Sequence, residues 1–316
     1  MYKSIIKYQV AQIIPYFGKW PEWIELYFYS CGQNPEIDFI FYTDCPLPQQ
    51  VYSNTKFISI SFKEYCKLVG ERLNIDYSIE STYKLTDLKP FIGAIHQEEL
   101  KIYDFWGFGD LDLVYGDLSM IVNDKTLDRY ELLTTHNYHV AGHFTLCKNN
   151  EYWRTLCFKI KDWQKRLIDS QHYAFDENEW SGLVNPFIKY IHRIHRLFFK
   201  PFRIHYFTVL DLLNPLLVNK CLFKEYWTSP YAGPENGIEK EWIYDITSHK
   251  IIDPEKREIP YLHFLFFKKT PWLDTEYYWK EGYWQIDNNY SLCDKEHFKG
   301  YKKIIFNYKE IKGYLS

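Results

Sequence analysis

Short apolar runs alternate with helical patterns along the first half of the chain. Runs such as residues 37–42 (IDFIFY) predict buried strands, and apolar residues at helical spacing, such as Trp23, Leu26 and Tyr27, predict helices. The predicted order is strand 5–14, helix 20–31, strand 37–42, strand 57–60, helix 63–73, helix 89–100 and strand 103–108. This β-α-β alternation is typical of an α/β fold with a mixed, mainly parallel sheet flanked by helices.

The pattern changes near residue 150. Apolar residues keep helical spacing from Trp153 to Leu167, and after Pro201 the pattern weakens into short aromatic strands and turns. We therefore expect a helical and irregular C-terminal part. A soft boundary separates residues 1–150 from residues 151–316, and we expect both parts to pack as one catalytic unit.

Composition excludes several classes of protein. The 316 residues include 29 Tyr, 23 Phe and 11 Trp, which favours an aromatic cleft for flat polar ligands such as sugars or bases. A net charge of −3 gives no overall basic surface for nucleic acid, and 46% hydrophobic residues exclude disorder. Without a signal-peptide pattern, a C-x-x-C motif or a membrane-length apolar run, we expect a soluble cytoplasmic protein.

Two carboxylates form the most informative motif. Asp110 and Asp112 follow an apolar strand, and alternate residues of an extended chain point the same way. Both carboxylates should therefore face one point beyond the strand, where α/β sheets bind ligands. Hard oxygen ligands at that point suit Mn²⁺ or Mg²⁺ carrying a diphosphate. Gly107, Gly109 and Gly116 flank the pair, and the alternative interpretation is a solvated turn.

Several segments resemble bacterial glycosyltransferases from surface-polysaccharide gene clusters. They are residues 13–18 (IIPYFG), 41–44 (FYTD), 84–90 (KLTDLKP), 105–118 (FWGFGDLDLVYGDL) and 142–149 (GHFTLCKN). The resemblance covers most of residues 5–180 and implies a GT-A fold whose D-x-D motif binds the metal. Residues 1–150 would bind the nucleotide sugar and the metal, and residues 151–316 would bind the acceptor. The resemblance also implies a nucleotide diphosphate sugar as donor, with a UDP-sugar favoured, and a glycan acceptor of the capsule or LPS type, for which lipid linkage is left open.

The same resemblance implies roles for individual residues. Asp110 and Asp112 would hold Mn²⁺ or Mg²⁺. The nucleoside, diphosphate and donor sugar would be bordered by Pro15, Tyr16, Phe17, Asp44, Lys84 and Asp87. A wall around the donor or acceptor sugar would include Gly142, His143 and Phe144. Asp44 could instead cap a turn, and Lys84 could lie on a solvated face.

A C-terminal element, residues 261–272 (YLHFLFFKKTPW), is similar to the His-Phe…Lys-Pro-Trp element of retaining GT-A enzymes such as the glycogenin-like family. The similarity implies that His263 is the third metal ligand and that Lys268 or Lys269 binds the diphosphate. The element lacks that family's glycine, and a Thr separates its Lys from its Pro. It favours retention of anomeric configuration and leaves inversion open. The alternative for His263 is a core histidine among aromatic side chains.

Asp176 and Glu177 lie between two predicted helices, where GT-A enzymes commonly place a catalytic acid. An inverting enzyme needs a base for the acceptor hydroxyl, and a retaining enzyme needs a group that stabilises an oxocarbenium-like state. Either residue is therefore a candidate catalytic group. The alternative is a helix N-cap, because Glu179 follows Asp176 at capping-box spacing.

Residues 189–205 form a basic-aromatic segment. It predicts either a helix with a solvated basic edge or a contact with anionic lipid at the inner face of the cytoplasmic membrane. The function expected from all these features is metal-dependent glycosyl transfer. The alternatives are a hydrolase of nucleotide sugars or phosphoesters and a non-catalytic carbohydrate-binding protein.

Overall fold

The computed structural model describes residues 6–200, 206–286 and 300–315. The strands are β1 (Val10–Pro15), β2 (Asp38–Thr43), β3 (Thr55–Ser59), β4 (Phe105–Gly109), β5 (Leu113–Tyr115), β6 (Leu132–Thr134), β7 (Phe144–Lys148), β8 (Cys221–Phe223), β9 (Trp242–Asp245), β10 (Lys250–Ile252), β11 (Glu258–Ile259), β12 (Tyr261–His263), β13 (Trp284–Gln285), β14 (Tyr301–Phe306) and β15 (Ile311–Leu315). The α-helices are α1 (Ile24–Gly32), α2 (Phe62–Leu73), α3 (Ile92–Ile95), α4 (Asp124–Arg129), α5 (Glu151–Thr155), α6 (Trp163–Ile168), α7 (Ser181–Val184), α8 (Ile188–Ile194) and α9 (Tyr206–Leu217). Shorter turns of helix include a 3₁₀ segment, Thr82–Phe91, and a π-helical segment, Asp176–Trp180.

The first sheet has seven strands in the order β3-β2-β1-β4-β7-β6-β8. Strands β3, β2, β1 and β4 are parallel, whereas β7 runs antiparallel to both of its neighbours. Helices pack on both faces of this sheet. The predicted α/β class with a mixed, mainly parallel sheet is therefore confirmed.

Both faces of the first sheet are buried because its strands are apolar at nearly every position. In β2, Ile40 and Tyr42 pack in one core together with α2, while Phe39 and Phe41 pack in the opposite core with α1. Alternate side chains of a strand point to opposite faces, so a continuous apolar run fills two cores at once.

The second sheet lies beyond α1. It has six strands in the order β11-β10-β9-β14-β15-β13, and its apolar side chains pack against Leu26 and Tyr29 of α1. Other residues of α1, including Tyr27 and Phe28, face the first sheet. This second sheet is a feature that the weak pattern after Pro201 did not predict, because its strands are only two to six residues long.

Two predicted elements are wrong. The expected helix over residues 89–100 is a 3₁₀ segment that ends at Phe91, followed by the four-residue α3. Pro90 lacks the amide hydrogen of an α-helical bond, and Gly93 favours helix poorly. The second difference is α9, in which Val209 and Leu210 pack against Ile191; the expected short strands begin only after it, at β8.

The two predicted parts of the chain share strand pairings. Strand β8 pairs with β6 in the first sheet, and β12 pairs with β5 in a separate two-stranded sheet. Strands from beyond residue 150 therefore pair with strands from before it. The boundary near residue 150 stays a prediction. Across the described residues, every helix is too short or too polar to cross a bilayer.

Candidate active site

Three potential metal ligands meet beyond the carboxyl end of β4. Asp110 and Asp112 lie in the bend between β4 and β5, and His263 ends β12. Because β12 pairs antiparallel with β5, His263 lies opposite Leu113. The pairing places one ligand atom from each of the three side chains within 4.8 Å of the others. We call these residues the Asp-Asp-His cluster. The two carboxylates converge through a bend and not, as expected, through an extended chain.

A lysine ammonium contacts each carboxylate of the cluster. Lys268 Nζ lies 2.5 Å from Asp112 Oδ2, and Lys89 Nζ lies 2.7 Å from Asp110 Oδ1. Burial raises the pKa of Asp112, but the Lys268 ammonium and His263 outweigh burial and hold that pKa well below its usual range. Asp112 is therefore ionised at neutral pH. Lys269, the neighbouring candidate, is exposed.

The donor set of the cluster fits a divalent cation. Mn²⁺ accepts two carboxylates and an imidazole, whereas Mg²⁺ prefers oxygen throughout. Neighbouring ligand atoms on one octahedral ion with bonds of about 2.1 Å are about 3 Å apart, and His263 Nε2 lies 3.4 Å from Asp112 Oδ1. Ser229 Oγ lies 2.8 Å from His263 Nδ1 and fixes the ring with Nε2 towards Asp112.

Lys89 links the cluster to Asp176. Lys89 Nζ lies 3.8 Å from Asp176 Oδ2, and both side chains are largely buried. Burial raises the pKa of Asp176 to about 7, although the Lys89 ammonium opposes this rise. Asp176 and Lys89 both lie close to the backbone of Gly142. They can do so because this residue has no side chain: an added Cβ would overlap Asp176 Oδ2 and lie 3.0 Å from Lys89 Nζ. Glu177, the other predicted catalytic group, is exposed.

His143 forms part of the wall behind the cluster. Its ring stacks on the His263 ring with centroids 4.2 Å apart. Burial and the neighbouring His263 hold the pKa of His143 well below its usual range, so this imidazole is neutral. Phe144, which follows it, stacks instead on Tyr261 inside the core. Of the predicted sugar wall, Gly142 and His143 therefore contact groups of the site directly.

Lys84 and Asp87 are joined to each other rather than to the cluster. Lys84 Nζ lies 2.9 Å from Asp87 Oδ2, and both side chains are buried. The ammonium also donates to the carbonyl oxygens of Arg166 and Gln171. Asp87 in turn accepts a hydrogen bond from the Tyr173 amide. These contacts attach the 3₁₀ segment to residues 166–173, and the predicted contact with the diphosphate and donor sugar stays a prediction.

The residues after β1 and β2 lie at the same edge of the sheet. Asp44 Oδ1 accepts a hydrogen bond of 2.7 Å from the amide of Gly18, whose φ of +104° requires glycine. Tyr16 stacks on Trp20, with ring centroids 5.1 Å apart. Pro15 and Tyr16 are partly exposed, whereas Phe17 is buried in the core with α2. Their predicted nucleoside contacts stay predictions.

Sequence reasoning missed two residues of the site. Lys89 lies in the KLTDLKP segment, yet nothing in the local pattern distinguishes it from Lys84 as the lysine that reaches Asp110. Ser229 carries no signal at all, because its role depends on the position of His263. Both assignments need the tertiary structure.

The basic-aromatic segment is described as far as residue 200, and residues 201–205 lie outside the described residues. Tyr190, Leu197 and Phe198 are exposed apolar side chains on it, and Arg193 and Arg196 are exposed beside them. An apolar and basic surface of this kind suits an anionic bilayer. The predicted membrane contact stays a prediction.

Comparison with known proteins places most of the chain in one family. A family of unknown function, DUF6625, matches residues 12–200. No curated protein matches the chain. Among solved structures, the apo form of the glycosyltransferase GlyE from Streptococcus pneumoniae TIGR4 is 13% identical with a TM-score of 0.25, over 68% of this chain and 45% of that one. A second GlyE structure is 14% identical with a TM-score of 0.30, over 67% and 54%. The chain thus spans about half the length of these proteins.

Proposed function

The chain belongs to the DUF6625 family of unknown function, and we propose that it is a metal-dependent glycosyltransferase of the GT-A type. It would move a sugar from a nucleotide diphosphate sugar, with a UDP-sugar favoured, to a glycan of a bacterial surface polysaccharide. The observation that carries this proposal is the Asp-Asp-His cluster beyond the carboxyl end of β4, with Lys268 beside it. Ligands bind at this edge of open α/β sheets.

Asp110, Asp112 and His263 would hold Mn²⁺ or Mg²⁺. The bound cation would supply Lewis-acid stabilisation of the diphosphate leaving group. Lys268 is about one-third exposed and contacts Asp112 in the structure. A bound cation would neutralise the Asp112 carboxylate, so that Lys268 would be free to bind a diphosphate oxygen.

If the reaction inverts the anomeric configuration, Asp176 is the proposed base for the acceptor hydroxyl. A carboxyl group with a pKa of about 7 can accept and return a proton near neutral pH, which is what a general base requires. Lys89, placed between Asp176 and Asp110, would hold the two carboxyl groups in fixed positions. Exposed Glu177 lacks these contacts, so Asp176 is the better of the two candidates.

Nucleotide binding tests the proposal directly. We would measure the thermal unfolding of the protein with UDP, GDP, CDP and ADP, each in Mn²⁺ and in EDTA. A ligand at 100 times its Kd stabilises the native state by about 2.7 kcal/mol, which is readily measured. One nucleotide should raise the melting temperature in Mn²⁺ but not in EDTA, and Asp112→Ala should remove that effect.

Asp274→Ala is the matched control, because Asp274 is an exposed carboxylate of the same type. This variant should keep the full nucleotide effect. A properly folded protein that responds to none of the four nucleotides would contradict the proposal. Donor turnover that does not respond to any added glycan would instead indicate a hydrolase.

A further inference from the structure

A cavity of about 370 Å³ is lined by residues 136–137, by residues 225–230 and by residues 240–257 in and around the second sheet. This volume lies at the small end of the about 300–1,000 Å³ typical of small-molecule sites. Its lining combines aromatic, acidic and basic side chains: Trp227, Glu225, Asp253, Arg257, His136 and Ser229. Most of the lining comes from residues beyond 200, outside the part of the chain that the family match covers.

Trp227, which lines this cavity, has an unusual backbone conformation. Its φ is +56°, a backbone conformation that bulky residues rarely adopt. The Trp227 amide donates a hydrogen bond of 2.7 Å to Glu225 Oε1, which holds this conformation. Trp227 is still 51% exposed as a residue, although the Arg257 guanidinium lies 4.2 Å from the centroid of its ring. The guanidinium fixes the ring from one side, and an aromatic surface remains free.

Each basic side chain of the cavity lies beside a carboxylate, including Lys240, whose Nζ is 3.6 Å from Oε2 of Glu235, a residue outside the lining. Arg257 Nε donates to Asp253 Oδ2 at 2.6 Å, and His136 Nδ1 lies 3.2 Å from Glu225 Oε2. Carboxylates therefore balance the basic groups, so an anionic diphosphate would gain little here. A neutral ligand with many hydroxyl groups could form hydrogen bonds with both the acceptors and the donors of this cavity. Its C–H face could stack on the Trp227 ring.

The cavity is separated from the cluster by a single layer of side chains. Ser229 lines the cavity, and its Oγ lies 2.8 Å from His263 Nδ1. His136 also lines it, and the His136 ring centroid is 5.3 Å from that of His143, which stacks on His263. A ligand in the cavity would thus lie one layer of side chains away from the Asp-Asp-His cluster, behind His143 and His263.

We propose that this cavity binds one sugar residue of the acceptor glycan, with the Trp227 ring as the stacking surface. The proposal rests on the proposed transferase function, since it is that function which requires a glycan. It assigns acceptor recognition to the C-terminal part of the chain, while the carboxylates that bind the metal and the donor come from the part that the family match covers.

Saturation-transfer NMR with methyl glycosides of glucose, galactose, N-acetylglucosamine and rhamnose tests the proposal. At least one glycoside should bind the wild-type protein, and its affinity should fall at least tenfold in Trp227→Gly. Glycine suits the positive φ at this position, so the variant removes the ring without adding backbone strain. Trp227→Phe should recover part of the affinity. The control is Tyr152→Ala, which removes another aromatic side chain that is 51% exposed and should bind like wild type.

Nucleotide binding in Mn²⁺, measured on the same variants, keeps the two proposals distinguishable. Trp227→Gly should keep the wild-type nucleotide response, since Trp227 is not part of the cluster. If no glycoside binds, or if Trp227→Gly binds as wild type does, the cavity proposal is overturned even where nucleotide binds. Glycoside binding that requires Trp227 without any nucleotide response would overturn the transferase and leave a sugar-binding protein.

Discussion

Ionisation of the buried Asp176 carboxyl group should weaken the fold. Burial raises its pKa from the ordinary 3.8 to about 7, although Lys89 opposes the rise. The unfolded chain therefore releases this proton near pH 4, while the native protein keeps it until about pH 7. The stability linked to this group is complete below pH 4 and is lost as the pH rises to 7.

The size of the loss follows from the two pKa values. They differ by about three pH units, and each unit corresponds to about 1.36 kcal/mol, so the full loss is roughly 4 kcal/mol. About 2.5 kcal/mol of it falls between pH 5 and pH 8, because the unfolded chain is already ionised at pH 5. Asp176→Asn does not titrate. From pH 5 to pH 8, its free energy of unfolding should therefore gain about 2.5 kcal/mol relative to wild type.

Urea unfolding in EDTA at the two pH values, followed by tryptophan fluorescence, measures this difference. Asp274→Asn is the control, because Asp274 is an exposed carboxyl group that is not among the groups shifting the pKa of Asp176, and it should follow the wild-type pH dependence. Equal pH dependence of wild type and Asp176→Asn would refute the reasoning. If Asp176→Asn is more stable than wild type at pH 8 but loses glycosyl transfer, Asp176 is needed for the reaction and not for stability.

Three further outcomes are expected. Gly142→Ala should destabilise the protein by about 1–3 kcal/mol in thermal or urea unfolding, because the new methyl group overlaps the Asp176 carboxylate; Gly182→Ala, with open space around it, should not destabilise it. Lys268→Ala should weaken nucleotide binding in Mn²⁺ at least tenfold by calorimetry, and Lys269→Ala should not; equal effects would contradict the assignment. Through the basic-aromatic segment, the protein should bind phosphatidylglycerol vesicles at low salt and float with them, but it should not float with phosphatidylcholine vesicles. Equal flotation with both would contradict an electrostatic contact.

The elements from β1 to α2 were predictable because each carries its own local signal. Strand β2 is one short apolar run, and α2 begins with a capping box in which Ser61 and Glu64 each accept a hydrogen bond from the other's amide. Such patterns span about ten residues and depend little on the rest of the chain. Their order then predicted the parallel part of the first sheet.

The second sheet lacks a local signal of this kind. Strand β9 has four residues, and its alternation of buried Trp242 and Tyr244 with partly exposed neighbours is too short to separate from a turn. It pairs with β14, some sixty residues later in the chain, through Ile304 and Ile305. Pairing at such a distance is decided by the shared core with α1, which no local pattern contains.

The residues of the site also differ in whether the sequence could predict them. Asp110 and Asp112 could be selected from sequence because a single strand end places both. Lys89 could not, since Lys84 and Lys89 belong to the same 3₁₀ segment. What separates them is how their charges are satisfied: Lys84 is enclosed by a carboxylate and two carbonyl oxygens, whereas Lys89 lies between Asp110 and Asp176. A carboxyl group held near neutral pKa one lysine away from the Asp-Asp-His cluster is a property of that contact and of burial, and therefore of the fold.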